Sequence, residues 1–131
     1  MIPHRDLRTL AEERLTDAEA LRTAERFDGA VYLGGYVVEL ALKARICVTL
    51  GWDGFPETNS EFQAYRSFRT HDLDVLLHLS GKEREVKETL FAEWSSVTSW
   101  TPEKRYEPAG SATDEDARLL IDSARTLLRA L

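Results

Sequence analysis

Cysteine occurs once in this chain of 131 residues, at position 47. A single thiol excludes an intrachain disulfide and any metal site built on several cysteines, and it fits a reducing compartment such as the cytosol. Histidine is also scarce. His4, His71 and His78 are scattered, with no cysteine or carboxylate at ligand spacing, so neither a metal site nor a cofactor is expected. Excess positive charge is missing as well: 17 Lys and Arg stand against 23 Asp and Glu, a net charge of −6. The field of the whole molecule therefore repels phosphate backbones, and any nucleic-acid contact must come from a local basic site. A glycine-rich phosphate loop, a Ser-His-Asp order and paired catalytic carboxylates are all absent. So are internal repeats and low-complexity tracts. Met1 to Glu25 is polar and amphipathic, with no charged leader followed by an apolar core, so a cytoplasmic protein is expected.

No long hydrophobic run is free of charge. Ala30 to Leu50 is about long enough to cross a bilayer at ~1.5 Å per residue. It carries Glu39, Lys43 and Arg45, each costing roughly 2.5–3.5 kcal/mol near a bilayer centre. That outweighs the few tenths returned by each Leu or Val. The run reads instead as the central helix of a soluble bundle.

What the chain does have is helical periodicity almost throughout, with no convincing strand alternation. At 43% hydrophobic residues it can furnish one ordinary core, and a single domain spanning residues 1–131 is expected. The first helix, roughly Pro3 to Phe27, places Leu7, Leu10, Ala11, Ala18 and Leu21 on one face. Asp28-Gly29 then reads as a break. The second helix runs from about Ala30 to Leu50, and Gly51 supplies its stop. GWDGFPETN, Gly51 to Asn59, is a turn-rich loop. Ser60-Glu61-Phe62-Gln63 fits a capping box for a short helix reaching Arg66, and a second short helix is expected from Asp72 to Leu79. Ser80-Gly81-Lys82-Glu83 fits another capping box, opening a helix to Val97 with Val86, Leu90, Phe91, Trp94 and Val97 as its stripe. Ser99 to Ser111 is a loop carrying Trp100, Arg105 and Tyr106. The last helix starts near Thr113, with acids in its first turn and Arg125 and Arg129 near its end, as the helix dipole favours. Ala117, Leu120, Ile121, Ala124, Leu127, Leu128 and Leu131 form its inner face. The architecture expected is all-α: an antiparallel up-and-down bundle of four long helices with one or two short ones inserted.

Glu39 and Lys43 stand out inside the apolar run, since charges are almost never fully buried unless paired. Spaced i,i+4, a solvated pair on an exposed strip would add only ~0.2–0.5 kcal/mol. Their neighbours Tyr36, Val37, Val38, Leu40, Ala41 and Leu42 leave little room for such a strip. The alternative is a half-buried pair lining a groove, with Lys43 holding a phosphate and Glu39 fixing the lysine or a base edge. Gly34 and Gly35 cost roughly 1 kcal/mol each relative to alanine within a helix, so another helix or a ligand approaches the backbone there.

YLGGYVVELALKA on the second helix, THDL before a short leucine helix, and a W…RY loop before a final amphipathic helix together resemble the HEPN domain family (higher eukaryotes and prokaryotes nucleotide-binding). The resemblance covers roughly Leu7 to Leu128. It implies a small antiparallel helical bundle, often a homodimer, associated with nucleotides or RNA and frequently encoded beside a minimal nucleotidyltransferase in toxin–antitoxin or defence systems. Many members are metal-independent endoribonucleases with an Arg and a His four to six residues apart.

Arg66-Ser-Phe-Arg-Thr-His71 meets that spacing, with His for proton transfer and Arg for the developing phosphorane charge. In the ribonuclease members, however, the motif follows the long third helix. Here that place holds Trp100, Arg105 and Tyr106, and no histidine follows Arg105. His71 also has a plain reading, in a Thr-His-Asp segment that caps a helix. Its functional reading puts it beside Glu39 and Lys43. Arg105-Tyr106 either closes a bundle end or binds phosphate through the guanidinium while the tyrosine stacks on a base. Trp52, Phe55 and Trp100 are expected as core lids or dimer contacts. The sequence thus points to a binding protein using Glu39, Lys43, His71, Arg105 and Tyr106. An endoribonuclease using Arg66 and His71, and a ligand-free dimeric interaction module, are the alternatives.

Overall fold

The computed structural model describes residues 1–131. Three long helices carry the bundle: α1 (His4–Thr23), α2 (Phe27–Leu50) and α7 (Asp114–Ala130). Between the second and third lie α3 (Asn59–Phe62), α4 (Leu73–Ser80), α5 (Glu83–Thr89) and α6 (Phe91–Val97), with short 3-10 turns at Arg66–Phe68 and Pro102–Tyr106. The chain is all-α apart from a two-residue antiparallel bridge, β1 (Ile2–Pro3) with β2 (Gly54–Phe55). The bridge, which no alternation in the sequence announces, ties the start of the chain to the loop after α2.

Helix α2 is the centre. It packs against α1, α4 and α7 and buries Val37, Val38, Ala41, Leu42, Ala44, Ile46 and Cys47. Each fully buried Leu, Ile or Val contributes roughly 1.5–3 kcal/mol relative to exposure. Burial also pushes the Cys47 thiol up to about 11, so it remains protonated and inert at neutral pH. Gly51 ends α2 in the left-handed conformation, φ 68°. The inner face of α7 is the one its periodicity expects, with Ala117, Leu120, Ile121, Ala124, Leu127 and Leu128 buried. Thr113 caps it, accepting from the Asp116 N–H while Asp116 accepts from the Thr113 N–H.

Several boundaries differ from expectation. The first break falls at Ala24–Arg26, where Glu25 takes a positive φ of 61°, and not at Asp28-Gly29. Those two residues belong to the first turn of α2, where the Asp28 carboxylate accepts from the backbone N–H groups of Gly110 and Ala112. The helix expected from Ser80 to Val97 is two helices meeting at Leu90, φ −129° and ψ 36°. The reason lies in their neighbours: α5 packs on α4 and α6 on α7, two directions that one straight helix does not serve. Phe91 consequently leaves the expected inner stripe and is 66% exposed, while Val86, Trp94 and Val97 are buried. Two caps also shift. Thr58 and Glu61 form the capping box of α3, and Ser80 belongs to the end of α4, closed by Gly81 at φ 76°.

Candidate functional site

Four residues of α2 recur at steps of four, three and four: Tyr32, Tyr36, Glu39 and Lys43. At 100° per residue they fall within about 60° of arc, and they span about 16 Å of axis. Two irregular segments cover this stripe. The loop from Ser99 to Ala112 meets its N-terminal half, and the segment from Gly51 to Asp72 meets its C-terminal half.

At the N-terminal half, the Trp100 ring packs edge-on against Tyr36, centroids 4.8 Å apart, and Tyr36 packs edge-on against Tyr32 at 5.3 Å. The indole lies directly on the helix backbone. A Cβ placed on Gly35 would sit 2.0 Å from Trp100 ring carbons, so only glycine fits under it. Gly34 has more room, its nearest neighbour being Leu120 at 3.4 Å. The glycine pair is thus explained by close packing of protein groups. Arg105 lies over the Tyr106 ring at 4.7 Å, donates to the Pro102 carbonyl and faces the Tyr32 hydroxyl. Tyr106 is 75% exposed, so Arg105 and Tyr106 present a stacked pair to solvent. Burial and the neighbouring Tyr32 push the Tyr36 phenol up to about 12, with the Glu39 carboxylate adding to the effect and Arg105 opposing it.

At the C-terminal half, Glu39 is 2% exposed. Its Oε1 accepts from Lys43 Nζ at 2.8 Å and from His71 Nδ1 at 2.6 Å. Lys43 also lies over the Phe55 ring, 5.3 Å from its centroid, so the ammonium is held between a carboxylate and an aromatic face. With Nδ1–H donating to Glu39, the imidazole turns Nε2 outward, and the His71 side chain is 61% exposed. The backbone around it is fixed by the cap on α4: Thr70 Oγ1 accepts from the Asp72 N–H, and Asp72 Oδ1 accepts from the N–H groups of Asp74 and Val75. The helix cap and the contact with Glu39 therefore coexist, and the first holds His71 in place for the second.

Glu39 Oε2 is buried with no hydrogen-bond partner, and so is Trp100 Nε1. A buried polar atom left unpaired costs about 1–3 kcal/mol. The same stripe thus carries one acceptor and one donor that the chain does not satisfy.

Of the residues the sequence singled out, Glu39, Lys43 and His71 are brought into contact. Arg105 and Tyr106 lie on the same face, about two turns of α2 away, and are linked to the others through Tyr32 and Tyr36. Arg66 is elsewhere. It lines a cleft with Asn59, Phe62, Gln63 and Arg69 and makes no hydrogen bond or ion pair with His71. Tyr32 and Tyr36 were not among the residues singled out, although their spacing to Glu39 and Lys43 was the available signal. No group of His, Cys, Asp and Glu is placed to hold a metal ion, and no helix is long and apolar enough to cross a membrane.

The model of the HEPN domain matches residues 4–131, essentially the whole chain. This chain belongs to the HEPN domain family. No curated protein and no solved structure gives a match. Membership fits a nucleotide- or RNA-associated function.

Proposed function

We propose that this HEPN protein binds a nucleotide or a short RNA along the polar stripe of α2, as a non-catalytic, cytoplasmic homodimer. Its partner is a minimal nucleotidyltransferase in a toxin–antitoxin or defence system. One observation carries the binding reading: a buried carboxylate, Glu39, holds both Lys43 and His71 through a single oxygen. Lys43 then presents its remaining N–H donors, and His71 its outward Nε2, to a phosphate. Arg105 supplies a guanidinium farther along the stripe, and the exposed Tyr106 ring a face on which a base can stack. The homodimer is supported by exposed Phe91 and Leu119 on α6 and α7, two helices that pack together.

Calorimetric titration with AMP, ATP and a short RNA tests the binding reading. Saturable binding by the parent protein, weakened at least tenfold by Lys43→Ala, is expected. No binding by the parent up to millimolar ligand removes this reading and leaves an interaction module.

A second reading rests on the Glu39–His71 contact, since a carboxylate that orients an imidazole is also how general acid–base groups are held. In that reading the chain is a metal-independent endoribonuclease in which Arg66 assists His71. RNA cleavage by the parent protein, abolished by His71→Ala, would establish it. Cleavage that is unchanged by the substitution, or absent from both, sinks it.

A further inference from the structure

Arg45 is the one half-buried cation of this chain that no carboxylate neutralises. The other half-buried lysines and arginines are all paired: Arg14, Arg22, Lys43, Lys82, Lys104 and Arg125 closely, and Arg8 loosely, 3.9 Å from an exposed Glu12. Arg45 makes no ion pair and no hydrogen bond, and its Nε is buried without a partner. Withdrawing a guanidinium from water with no counter-ion is costly, and folds rarely do it. Glu85, the carboxylate that feels Arg45, is already engaged. It is held below the ordinary glutamate range chiefly by its hydrogen bond from Lys82, at 2.8 Å, and Arg45 adds only a small part.

The place lies on the far side of α2 from the stripe. Arg45 follows Lys43 by two residues, a turn of about 200° around the helix axis. It lines an open cleft of about 300 Å³ between the end of α2 and the start of α1, together with His4, Arg5 and Arg8. Arg5 and Arg8 are three apart on α1 and share a face. Arg5 has no ion pair, and the long, exposed Arg8–Glu12 contact is of a kind that contributes little. Glu12 is the only carboxylate side chain lining the cleft. Three guanidinium groups and an imidazole from two helices are thus gathered at one cleft, in a chain with a net charge of −6.

From this juxtaposition we infer that the cleft is an anion site for a phosphate dianion, separate from the α2 stripe. Guanidinium forks from two helices need acceptor oxygens pointing in more than one direction, and a tetrahedral phosphate supplies them where a single carboxylate does not. The bound phosphate becomes the missing counter-ion of Arg45, and Arg5 and Arg8 meet it from α1. No Phe, Tyr or Trp lines the cleft, so no such ring is there to stack a base. Ala44, Val48 and Leu131 make an apolar wall, which suits the short carbon skeleton of an aliphatic phosphate ester. Inorganic phosphate and such an ester share the group that the arginines recognise. This site is independent of the reading proposed for Glu39 and Lys43.

Calorimetry and thermal unfolding of the full chain, with inorganic phosphate and with glycerol 3-phosphate, test the inference, and sodium chloride at matched ionic strength controls for screening. Saturable binding by the parent is expected, with unfolding raised by roughly 3–6 °C at ten times the dissociation constant. Arg45→Met keeps the stem and removes the charge. It should weaken phosphate at least about tenfold and, without phosphate, unfold at the same or a higher temperature than the parent, because an unpaired half-buried charge has gone. Arg5→Ala, at an exposed position, should also weaken phosphate and leave the fold intact. Lys43→Ala, on the other side of α2, should change phosphate binding by less than about twofold. The inference fails if the parent binds no phosphate, if sodium chloride raises unfolding equally, or if malonate binds as well as phosphate. It fails too if Lys43→Ala removes phosphate binding and Arg45→Met does not, since the anion then belongs to the stripe. An Arg45→Met variant less stable than the parent without phosphate would show Arg45 to be satisfied within the fold, and that also overturns it. Tighter binding of glycerol 3-phosphate or of inorganic phosphate identifies the source of the group.

Discussion

Gly35 is the residue on which the site's geometry turns, because it lets the Trp100 ring lie against the backbone of α2 four residues before Glu39. Gly35→Ala would drive a methyl into ring atoms 2.0 Å away, and overpacking of this kind costs about 1–3 kcal/mol. Its gain in helix propensity, about 1 kcal/mol, offsets only part of that. Chemical denaturation should therefore show a net loss of up to about 2 kcal/mol for Gly35→Ala and no loss, or a gain of up to about 1 kcal/mol, for Gly34→Ala, where Leu120 stands 3.4 Å off. Tyr36 gives a second test. Its phenol is held up to about 12 against an ordinary value of 10, so the folded state keeps the proton longer than the unfolded chain does. Its contribution to stability is complete below pH 10 and lost as the pH rises from 10 through 12. Tyr36→Phe should flatten the fall in stability across that window, as followed by denaturation at each pH. At this scale the sequence was partly legible. Two charges inside an apolar run announce Glu39 and Lys43, because burial without a partner is too costly. His71 lies 32 residues from Glu39, so no local pattern encodes their contact; the THDL segment left a plain cap and a place beside Glu39 and Lys43 as two readings, and only the fold shows that both hold. Tyr32 and Tyr36 were hidden for a different reason: tyrosines at helical spacing read equally as core.

Among the elements, the long periodic helices were the legible ones. The inner face of α7 and its Thr113 cap follow directly from residue spacing and chemistry. The breaks were not legible. Glu25 adopts a left-handed φ that glutamate has no local preference for, and Leu90 interrupts a segment, KETLFAEW, whose hydrophobic period continues through it. In both cases tertiary packing overrides local propensity. Asp28 shows what the displaced boundary is for. From the first turn of α2 its carboxylate accepts two N–H groups from the loop that carries Arg105 and Tyr106, and these bonds hold it below the usual aspartate range. The sign follows: the anchoring is complete above pH 3.8 and is lost as the pH falls through the lowered value. Hydrogen exchange should show the Gly110 and Ala112 amides losing protection first on acidification. Asp28→Ala should expose them already at neutral pH, while the amides of the α2 core stay protected.

For the whole molecule, the net charge and the site oppose each other. A body carrying −6 repels a polyanion at long range, and the cations along α2 act only within a Debye length, about 8 Å at physiological salt. The homodimer proposed above is tested at the same scale. Sedimentation at micromolar concentration should give about twice the 14.9 kDa of the chain, and Phe91→Glu should shift it toward the monomer. A single 14.9 kDa species for the parent would remove the dimer. The indole packed on Gly35 has one more consequence, and it is optical. Trp100 packs against the proposed binding stripe in contact with Tyr36, whereas Trp94 donates its N–H to Asp74 and Trp52 packs among Tyr65, Phe55 and Phe68. With Trp52 and Trp94 replaced by phenylalanine, the remaining emission comes from the ring against that stripe, so a change in it on adding nucleotide would report occupancy of the proposed site without an attached dye.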